Sequence, residues 1–246
     1  MKILLIGYGK MGKLIHDQAI ANGHQVVKII DVDNESELYD PQRMGALQAH
    51  VAIEFTQPDG AVKHLKACMD AAIPVVCGTT GWTQHLEDLK AYCRQKQGGL
   101  FYASNFSIGV HLFWKLTAEL GRMMAGFPDY KPLIEEWHHI HKLDAPSGTA
   151  ITTAEKLIGE MPGLGHWHQE QTDLPGLAIK SYREGEIPGT HRITFKSGID
   201  QISLEHQAFS RQGFVQGAVL AAEWMANRKG IYGMDDLLAE ADSSKG

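Results

Sequence analysis

The sequence Lys2-Ile3-Leu4-Leu5-Ile6-Gly7-Tyr8-Gly9-Lys10-Met11-Gly12, residues 2–12, decides the fold of the first part of the chain. Residues 3–6 form a short apolar run that ends at a glycine, which predicts a buried strand. Residues 11–22 then carry apolar side chains at helical spacing, and Gly23 lies where a helix commonly ends. A strand, a glycine-rich turn and a helix in this order are typical of a parallel α/β domain.

Three glycines of this stretch have the spacing G-x-G-x-x-G between the predicted strand and helix. Gly7 permits a tight turn, Gly9 lets the backbone approach a pyrophosphate, and Gly12 allows close packing of helix on strand. The helix N-terminus then offers N–H groups to the anion. An ordinary glycine-rich turn is the alternative, but this position favours a site for NADH or NADPH. The residues predicted to bind the cofactor here are Gly7, Tyr8, Gly9, Lys10, Met11 and Gly12.

An acidic residue about 20 positions beyond such glycines usually holds the ribose hydroxyls of the cofactor. Asp31 closes the second predicted strand, residues 26–30, and fits this role, with Asp33 as a second candidate. No arginine follows Asp31, although Lys10 is a possible partner for a 2′-phosphate. We therefore expect NADH to be preferred and NADPH to be tolerated.

Short apolar runs and amphipathic stretches alternate as far as residue 103, which predicts a parallel sheet with helices on its faces. The further strands are predicted at residues 50–55, 74–77 and 100–103, and the further helices at residues 58–72 and 83–96.

From residue 107 onward the pattern changes. Ser107 is expected to cap a long helix with Val110, Phe113, Leu116, Leu120 and Met123 on one face. Strands are predicted at residues 133–139, 177–183, 190–196 and 201–208, the last three as a meander, with a helix at 148–160 and a long loop at 162–175. A last helix, residues 214–225, is expected to return to the first domain and to be followed by a frayed polar tail.

These elements predict two domains. The first is a Rossmann-like parallel α/β domain over residues 1–107 with a C-terminal return over residues 211–246. The second is an α+β domain over residues 108–210 with an open, mixed or antiparallel sheet. Apolar residues make up 43% of the chain, which is enough to build a core.

Charge and cysteine content exclude several classes of protein. The formal net charge of −6 argues against a general nucleic-acid binder, which needs surplus Lys and Arg for phosphate contacts. The N-terminal apolar run stops at Gly7 and is too short for a signal sequence or a membrane span. Cys68, Cys77 and Cys93 lack a metal-ligand spacing and are expected to be reduced. We therefore expect a cytoplasmic protein with neither nucleic-acid nor membrane partners.

The segment from His138 to Ala150, His-His-Ile-His-Lys-Leu-Asp-Ala-Pro-Ser-Gly-Thr-Ala, concentrates the polar chemistry of the chain. Ser147, Gly148 and Thr149 would lie at the N-terminus of a helix, where N–H groups and hydroxyls bind carboxylates. His139 and Lys142 add cationic or donor groups, so a small dicarboxylate is the expected ligand. A histidine near a lysine can also transfer protons near neutral pH.

Two other interpretations of this segment remain open. The three histidines could bind zinc, but His138 and His139 are sequential and would point to opposite faces of a strand, so no metal is predicted. A solvated, polar strand end is the other interpretation, and it leaves the adjoining Pro-Ser-Gly-Thr helix start unexplained.

The segment resembles the signature of the dihydrodipicolinate reductase family, also called 4-hydroxy-tetrahydrodipicolinate reductases. The resemblance extends over nearly the whole chain. Its further landmarks are Gly7 to Gly12, Phe55-Thr56-x-Pro58, Gly78-Thr79-Thr80-Gly81, Ala103 to Val110, Gly185 to Gly189, and Glu205-His206 through Ser210-Arg211 with Gly217-Ala218.

The resemblance implies roles for individual residues. His138 would be the catalytic acid/base and Lys142 the proton donor, while His139, Ser147, Gly148 and Thr149 would bind substrate carboxylates. Further cofactor contacts would come from Gly78, Thr79, Thr80, Ala103, Ser104, Asn105 and Phe106. The family reduces a dicarboxylate of the lysine and diaminopimelate pathway with NAD(P)H, and it is typically a homotetramer assembled through the second, substrate-binding domain.

Two rival functions remain. One is a related two-domain dehydrogenase that acts on aspartate or a sugar, for which the segment 138–149 would be a coincidence. The other is a catalytically silent module that senses the dinucleotide, which the presence of His138, Lys142 and Thr149 disfavours. The chain departs from many members of the family between Asp31 and Val51, where it is shorter, and in having Asp31 in place of a frequent Glu.

Overall fold

A computed structural model describes residues 1–169 and 176–243. The chain divides into two compact units. The first contains Met1–Ser107 and the chain from Phe214 onward, and the second contains Ile108–Gly213.

The elements up to residue 102 alternate between strand and helix. They are β1 (Lys2–Ile6), α1 (Lys10–Ala21), β2 (Gln25–Ile30), α2 (Pro41–Ala46), β3 (Val51–Glu54), α3 (Pro58–Asp70), β4 (Val75–Cys77), α4 (Leu86–Lys96) and β5 (Gly99–Tyr102), with 3-10 turns at Val32–Tyr39 and Thr83–His85. Each predicted strand and helix of this region is present within a few residues of its expected bounds.

The elements after residue 107 mix long strands with three long helices and one shorter one. They are α5 (Ile108–Met124), β6 (Lys131–His138), α6 (Gly148–Glu160), β7 (Trp167–Gln169), β8 (Leu177–Arg183), β9 (Gly189–Lys196), β10 (Gln201–Ala208), α7 (Gln212–Met225), β11 (Gly230–Tyr232) and α8 (Met234–Ser243), with a 3-10 turn at Pro162–Leu164.

The sheet of the first unit is parallel throughout and has the strand order β11-β5-β4-β3-β1-β2. The chain leaves β1 for β2 on one side and continues from β3 on the other, so the direction of winding reverses between β1 and β3. In open parallel sheets, ligands bind in the crevice outside the carboxyl ends of the strands at such a point. The strand cores are buried, as Leu4, Ile53 and Val76 show with 0% exposure each.

The sheet of the second unit is mixed, with the order β10-β9-β6-β8-β7. β6 pairs parallel with β8 and antiparallel with β9, while β7 is parallel to β8 and β10 is antiparallel to β9. The predicted meander is therefore wrong between β8 and β9, because β6 lies between these two strands, whereas β9 and β10 pair as predicted. Turn residues indicate where the chain reverses direction. They do not show that β6, which lies 40 or more positions earlier in the sequence, takes the place between the two strands.

The buried face of α5 differs from the predicted one. Val110 and Phe113 are buried as expected, whereas Leu116 and Met123 are 54% and 58% exposed. Thr117 and Gly121 take the buried positions instead. A Cβ on Gly121 would lie 2.7 Å from Leu157 Cδ1 of α6, so this face carries small residues because the two helices approach closely there.

The C-terminal tail is not frayed in its described part. β11 extends the first sheet by pairing with β5, with Gly230 opposite Gly99, and α8 follows it. A three-residue strand is too short to show a periodic pattern in the sequence. The predicted loop at residues 162–175 contains a 3-10 turn and β7, and residues 170–175 lie outside the described part. All three cysteines are buried and free. No helix in the described ranges is both long and apolar enough to cross a membrane.

Candidate active site

Two glycines of the fingerprint occupy positions that exclude a side chain. A Cβ on Gly7, whose φ is +92°, would overlap the carbonyl oxygen of Phe55 at the end of β3. A Cβ on Gly12 would overlap the carbonyl oxygen of Gly7, because α1 begins directly against the turn. These close approaches bring the start of α1 to the carboxyl ends of β1 and β3.

A cavity of about 320 Å³ opens beside this turn. Of the residues predicted to bind the cofactor, Gly7, Tyr8, Gly9 and Asp31 line it. Gly9 has no heavy atom within 4 Å of its ideal Cβ position, so a ligand can reach its backbone. Lys10, Met11, Gly12 and Asp33 are not among the lining residues. A bare backbone at a helix start and a carboxylate at the end of β2 fit a dinucleotide.

The other predicted cofactor residues follow the neighbouring strands. Gly78, Thr79 and Thr80 come directly after β4, and residues 103–106 come directly after β5. Ala103 N donates to Cys77 O at 3.3 Å, and Asn105 Oδ1 accepts from Ser107 N at 2.8 Å. Ser104 and Thr80 are exposed, whereas Phe106 is buried against Phe55, 5.7 Å between ring centroids. All these loops therefore emerge at one edge of the sheet.

A buried carboxylate that the sequence interpretation missed organises this edge. Glu54, at the end of β3, is 0% exposed and accepts hydrogen bonds from the hydroxyls of Thr56 and Thr79, the latter at 3.0 Å. Both hydroxyls donate to Glu54 Oε1, and the Cys77 thiol donates to Glu54 Oε2 at 3.0 Å. Thr79 Oγ1 also accepts from Thr56 N at 2.7 Å, which ties the loops after β3 and β4 together. A charged residue at the end of the apolar run Val51–Glu54 was the signal available in the sequence.

The same carboxylate connects to the outer wall of the cavity through His64. The His64 ring lies 3.4 Å from Glu54 Oε1 and, on its other side, 3.3 Å from Glu35 Oε1. Burial lowers the pKa of His64, but Glu54 and Glu35 outweigh burial and raise it overall. Hydrogen bonds from Tyr39 and His64 lower the pKa of Glu35, so this wall carries a carboxylate besides Asp31.

In the second unit, the predicted catalytic segment joins β6 to α6. Ser147 is the N-cap of α6: its Oγ accepts from Ala150 N at 3.2 Å, and its own N–H donates to Glu136 Oε1 at 3.0 Å. Ser147 is buried, whereas Gly148 is exposed and has no heavy atom within 4 Å of its Cβ position. The first turn of α6 therefore presents its N-terminus with Gly148 and Thr149 at the accessible side, as an anion site requires.

Lys142 lies in the loop between β6 and α6. Its Nζ donates to both carboxylate oxygens of Asp144, at 2.8 Å each. Its side chain remains 23% exposed. A substrate carboxylate would compete with Asp144 for this ammonium group.

Arg183, at the end of β8, fastens that loop to the sheet. Its Nε donates to Lys142 O at 3.3 Å, and its Nη2 donates to Asp144 O at 2.5 Å and to Glu136 Oε1 at 3.2 Å. No local pattern in the sequence indicates this role, because Arg183 is about 40 residues away from the loop that it holds.

His138, the last residue of β6, is 8% exposed, and its Nε2 lies 3.5 Å from Glu136 Oε2. His191 of β9 lies on the other side, with ring centroids 5.1 Å apart. Burial, followed by the charge of His138, lowers the pKa of His191 to about 3. Burial opposes ionisation of Glu136, but the neighbouring His138, Ser147 and Ser181 outweigh burial and lower the pKa of this carboxyl far below its usual range.

The other two predicted histidines lie beyond the strand. His139 is partly buried, and the centroid of its ring is 6.1 Å from that of His141. His141 is exposed, 3.4 Å from a Glu186 oxygen. Glu136, His138 and His191 form the group of potential metal ligands found in residues 1–169 and 176–243. Each offers one ligand atom, and these atoms all lie within 4.8 Å of one another. The zinc interpretation, which rested on His138, His139 and His141, does not correspond to this cluster.

Sequence models of two consecutive domains match the chain. The one described as "Dihydrodipicolinate reductase, N-terminus" matches residues 1–106, and the one described as "Dihydrodipicolinate reductase, C-terminus" matches residues 109–238. A 4-hydroxy-tetrahydrodipicolinate reductase of Christiangramia forsetii is 41% identical, over 98% of this chain and 98% of its own. Another of that name, from Archaeoglobus fulgidus, is 32% identical, over 94% and 96%.

Solved structures separate the family from the wider fold. The dipicolinate-bound dihydrodipicolinate reductase from Paenisporosarcina sp. TG-14 aligns with a TM-score of 0.78 at 25% identity, over 96% of this chain and 98% of that one. An aspartate dehydrogenase from Thermotoga maritima aligns with a TM-score of 0.50 at 11% identity, over 93% and 97%, and shares the fold alone. The fold is thus common to several dehydrogenases, whereas the sequence matches are specific: the chain belongs to the dihydrodipicolinate reductase family.

Proposed function

We propose that this protein is an NAD(P)H-dependent 4-hydroxy-tetrahydrodipicolinate reductase of lysine and diaminopimelate biosynthesis. In this reaction one hydride and one proton are added to the substrate and its hydroxyl leaves as water, which gives tetrahydrodipicolinate. The observation that carries the proposal is the joining of His138, the Lys142 loop and the α6 N-terminus through Glu136 and Arg183. An acid/base, a cation and an anion site are thereby held in one arrangement on a chain of this family.

The chemistry divides between cofactor and protein. When bound, the dinucleotide supplies the hydride, and the chain supplies orientation, protons and anion binding. His138 is the proposed acid/base and Lys142 the proposed proton donor. Gly148, Thr149 and His139 would bind the two carboxylates, with Ser147 contributing as the cap that sets the helix start. Fixing both carboxylates would limit the substrate to one orientation, which lowers the entropic barrier to reaction.

The first unit is the proposed dinucleotide-binding domain, over residues 1–107 with the return at 211–246, and residues 108–210 are the proposed substrate-binding and tetramerisation domain. NADH is the preferred cofactor in this proposal. Asp31 and Glu35 both line the cavity beside the glycine turn, and two carboxylates there would repel a 2′-phosphate.

A cytoplasmic homotetramer is the proposed form of the protein. Support comes from β10, an eight-residue strand at the edge of the second sheet, on which Ile202 is 44% exposed. A long exposed edge strand is a template for pairing with other chains, and stable proteins usually cover it. Assembly through this sheet would cover the edge.

The test is oxidation of NADH, and separately of NADPH, with freshly made product of dihydrodipicolinate synthase. We expect turnover by the wild-type protein, more efficient with NADH, and its loss in His138→Gln and Lys142→Ala. Lys156→Ala, at an exposed position of α6, is the matched control and should retain activity. Folded protein that binds NADH but shows no turnover with either cofactor would contradict the proposal and favour a dinucleotide-sensing module.

A further inference from the structure

Glu136 is a fully buried acid whose two oxygens have different surroundings. Oε1 accepts a hydrogen bond from Ser147 N at 3.0 Å and one from Arg183 Nη2 at 3.2 Å. Oε2 has no hydrogen-bond partner among the described residues, although it is buried. A buried carboxylate oxygen without a donor is costly, so its presence requires an explanation beyond the Oε1 contacts.

Two imidazole nitrogens face this oxygen. His138 Nε2 lies 3.5 Å away and His191 Nδ1 lies 4.0 Å away. Both nitrogens are also buried without a hydrogen-bond partner within the described ranges. The separation of 3.5 Å is long for a hydrogen bond but suits an ion pair that shortens when the imidazole is protonated.

We propose that Glu136 is the positioning residue of His138, holding a proton on its Nε2 and stabilising the protonated ring. The inference rests on the proposed function, in which His138 is the acid/base. Glu136 itself touches neither substrate nor cofactor in this arrangement. It acts through the ring, as the carboxylate partner of a histidine does in hydrolytic triads.

The position of Glu136 follows from the strand. Residues two apart on a strand point to the same side, so Glu136 and His138 share one face of β6. The pairing of β6 with β9 places His191 opposite Glu136, and the pairing with β8 places Ser181 beside it. One carboxylate on the central strand of the sheet therefore meets side chains of both neighbouring strands.

The surroundings assign the proton to His138 and not to His191. His191 is neutral near pH 7 because burial depresses its pKa to about 3. The charged and titratable groups around His138 are Glu136 on its own strand, His191 on β9, Arg183 on β8, Lys142 and Asp144 in the following loop, and His206 on β10 beyond His191. Arg183 pairs with Oε1 and Lys142 with Asp144, so Oε2 is the negative atom that faces the ring of His138.

A purely structural role is the alternative. In that case the Oε1 contacts to Ser147 and Arg183 would be the whole contribution of Glu136, and the charge on Oε2 would be incidental. The two possibilities differ in what the amide isostere would do, because Glu136→Gln retains an oxygen for Ser147 and Arg183 and replaces Oε2 with an NH₂ group.

The substitution makes a prediction about the tautomer of His138. With the amide oxygen held by Ser147 and Arg183, the NH₂ group would donate to Nε2, so the neutral ring must carry its proton on Nδ1. The wild-type ring should carry it on Nε2. Heteronuclear NMR of ¹⁵N-histidine-labelled, full-length protein without substrate reports the tautomer directly. The same tautomer in both proteins would overturn the proposal, whether or not the enzyme turns over.

Kinetics with NADH and the synthase product supply the second readout. We expect Glu136→Gln to lower kcat about 100-fold, the scale of general acid–base catalysis, with the KM for NADH within a factor of two. Without the carboxylate, the alkaline fall of the kcat–pH profile should move to lower pH. Glu136→Asp retains the charge and should preserve the wild-type pH profile at reduced kcat. Equal losses in both variants with an unchanged profile would indicate a structural role alone and overturn the proposal. Absence of wild-type turnover would instead contradict the proposed function, and the tautomer result would still decide the role of Glu136.

Discussion

An ideal Cβ on Gly189 would lie 2.9 Å from His138 Cε1 and 3.3 Å from His138 Nδ1. The imidazole of the proposed acid/base therefore packs directly against the backbone of β9 at Gly189. We predict that Gly189→Ala displaces the ring and lowers kcat at least about 10-fold, because small misplacements of a catalytic group cost one or two orders of magnitude. NADH affinity should not change, since Gly189 lies in the second unit. Steady-state kinetics and NADH fluorescence titration measure both quantities.

Gly198→Ala is the matched control for this substitution. Gly198 lies in the turn after β9, and no heavy atom lies within 4 Å of its Cβ position. It should leave kcat unchanged. Equal activity of the Gly189 and Gly198 variants would show that the ring does not need its present position.

The ion pair of Lys142 with Asp144 leads to a second prediction. Lys142→Ala should reduce turnover by two or more orders of magnitude, because it removes both a proton donor and a carboxylate partner. The NADH dissociation constant should remain within a factor of two of the wild-type value. Isothermal titration with NADH and steady-state kinetics check these outcomes. A collapse of NADH affinity would mean that Lys142 belongs to the cofactor site.

The sequence predicted the first unit well because its signals are local. The strands β1, β3, β4 and β5 are almost entirely buried apolar runs, and the loops at their carboxyl ends directly follow these runs. The position of Asp31 beside the glycine turn could be predicted from its distance along the sequence to the glycines alone. β11 was missed because three residues carry no period, and its pairing with β5 spans about 130 positions.

In the candidate site of the second unit, the sequence predicted only those residues that lie in one continuous segment of the chain. His138, Lys142 and the helix start at Ser147 are neighbours in sequence, so their type and spacing sufficed. Arg183 and His191 reach the site through strand pairing, which no local pattern specifies. Glu136 was within reach of sequence reasoning, because a residue two before His138 on a strand shares its face.

The lining of the cofactor cavity predicts the outcome of changing Asp31. Asp31→Ala should weaken NADH binding about 10-fold, because it removes a carboxylate from the ribose hydroxyls, while NADPH binding should change little or improve as repulsion of the 2′-phosphate falls. Asp33→Ala is the control, since Asp33 does not line the cavity. Titration of both variants with both cofactors tests this. Equal losses for NADH and NADPH would remove Asp31 from the ribose role.

The depressed pKa of His191 predicts how stability depends on pH. The unfolded chain binds a proton at this histidine near pH 6.5, whereas the folded protein resists protonation until about pH 3. The unfolded state therefore binds more protons between these values, so the free energy of unfolding must fall as pH decreases from about 6.5 toward 3. Since one pKa unit corresponds to about 1.4 kcal/mol, His191 accounts for a few kcal/mol of this loss. The carboxyl of Glu136, whose pKa is also lowered, adds a loss below its unfolded value of 4.5.

Replacing His191 isolates its share of this pH dependence. In His191→Gln the free energy of unfolding should decline less steeply between pH 6.5 and 5. The number of protons taken up on unfolding, which sets this slope, should be smaller by up to one, because the unfolded variant lacks the histidine that takes up the proton. Urea denaturation at several pH values measures the slope. His85→Gln, at an exposed position, should retain the wild-type slope. If both variants show the wild-type slope, His191 takes up its proton over the same pH range in the folded and the unfolded protein, and its burial would then not keep Glu136 for His138 alone.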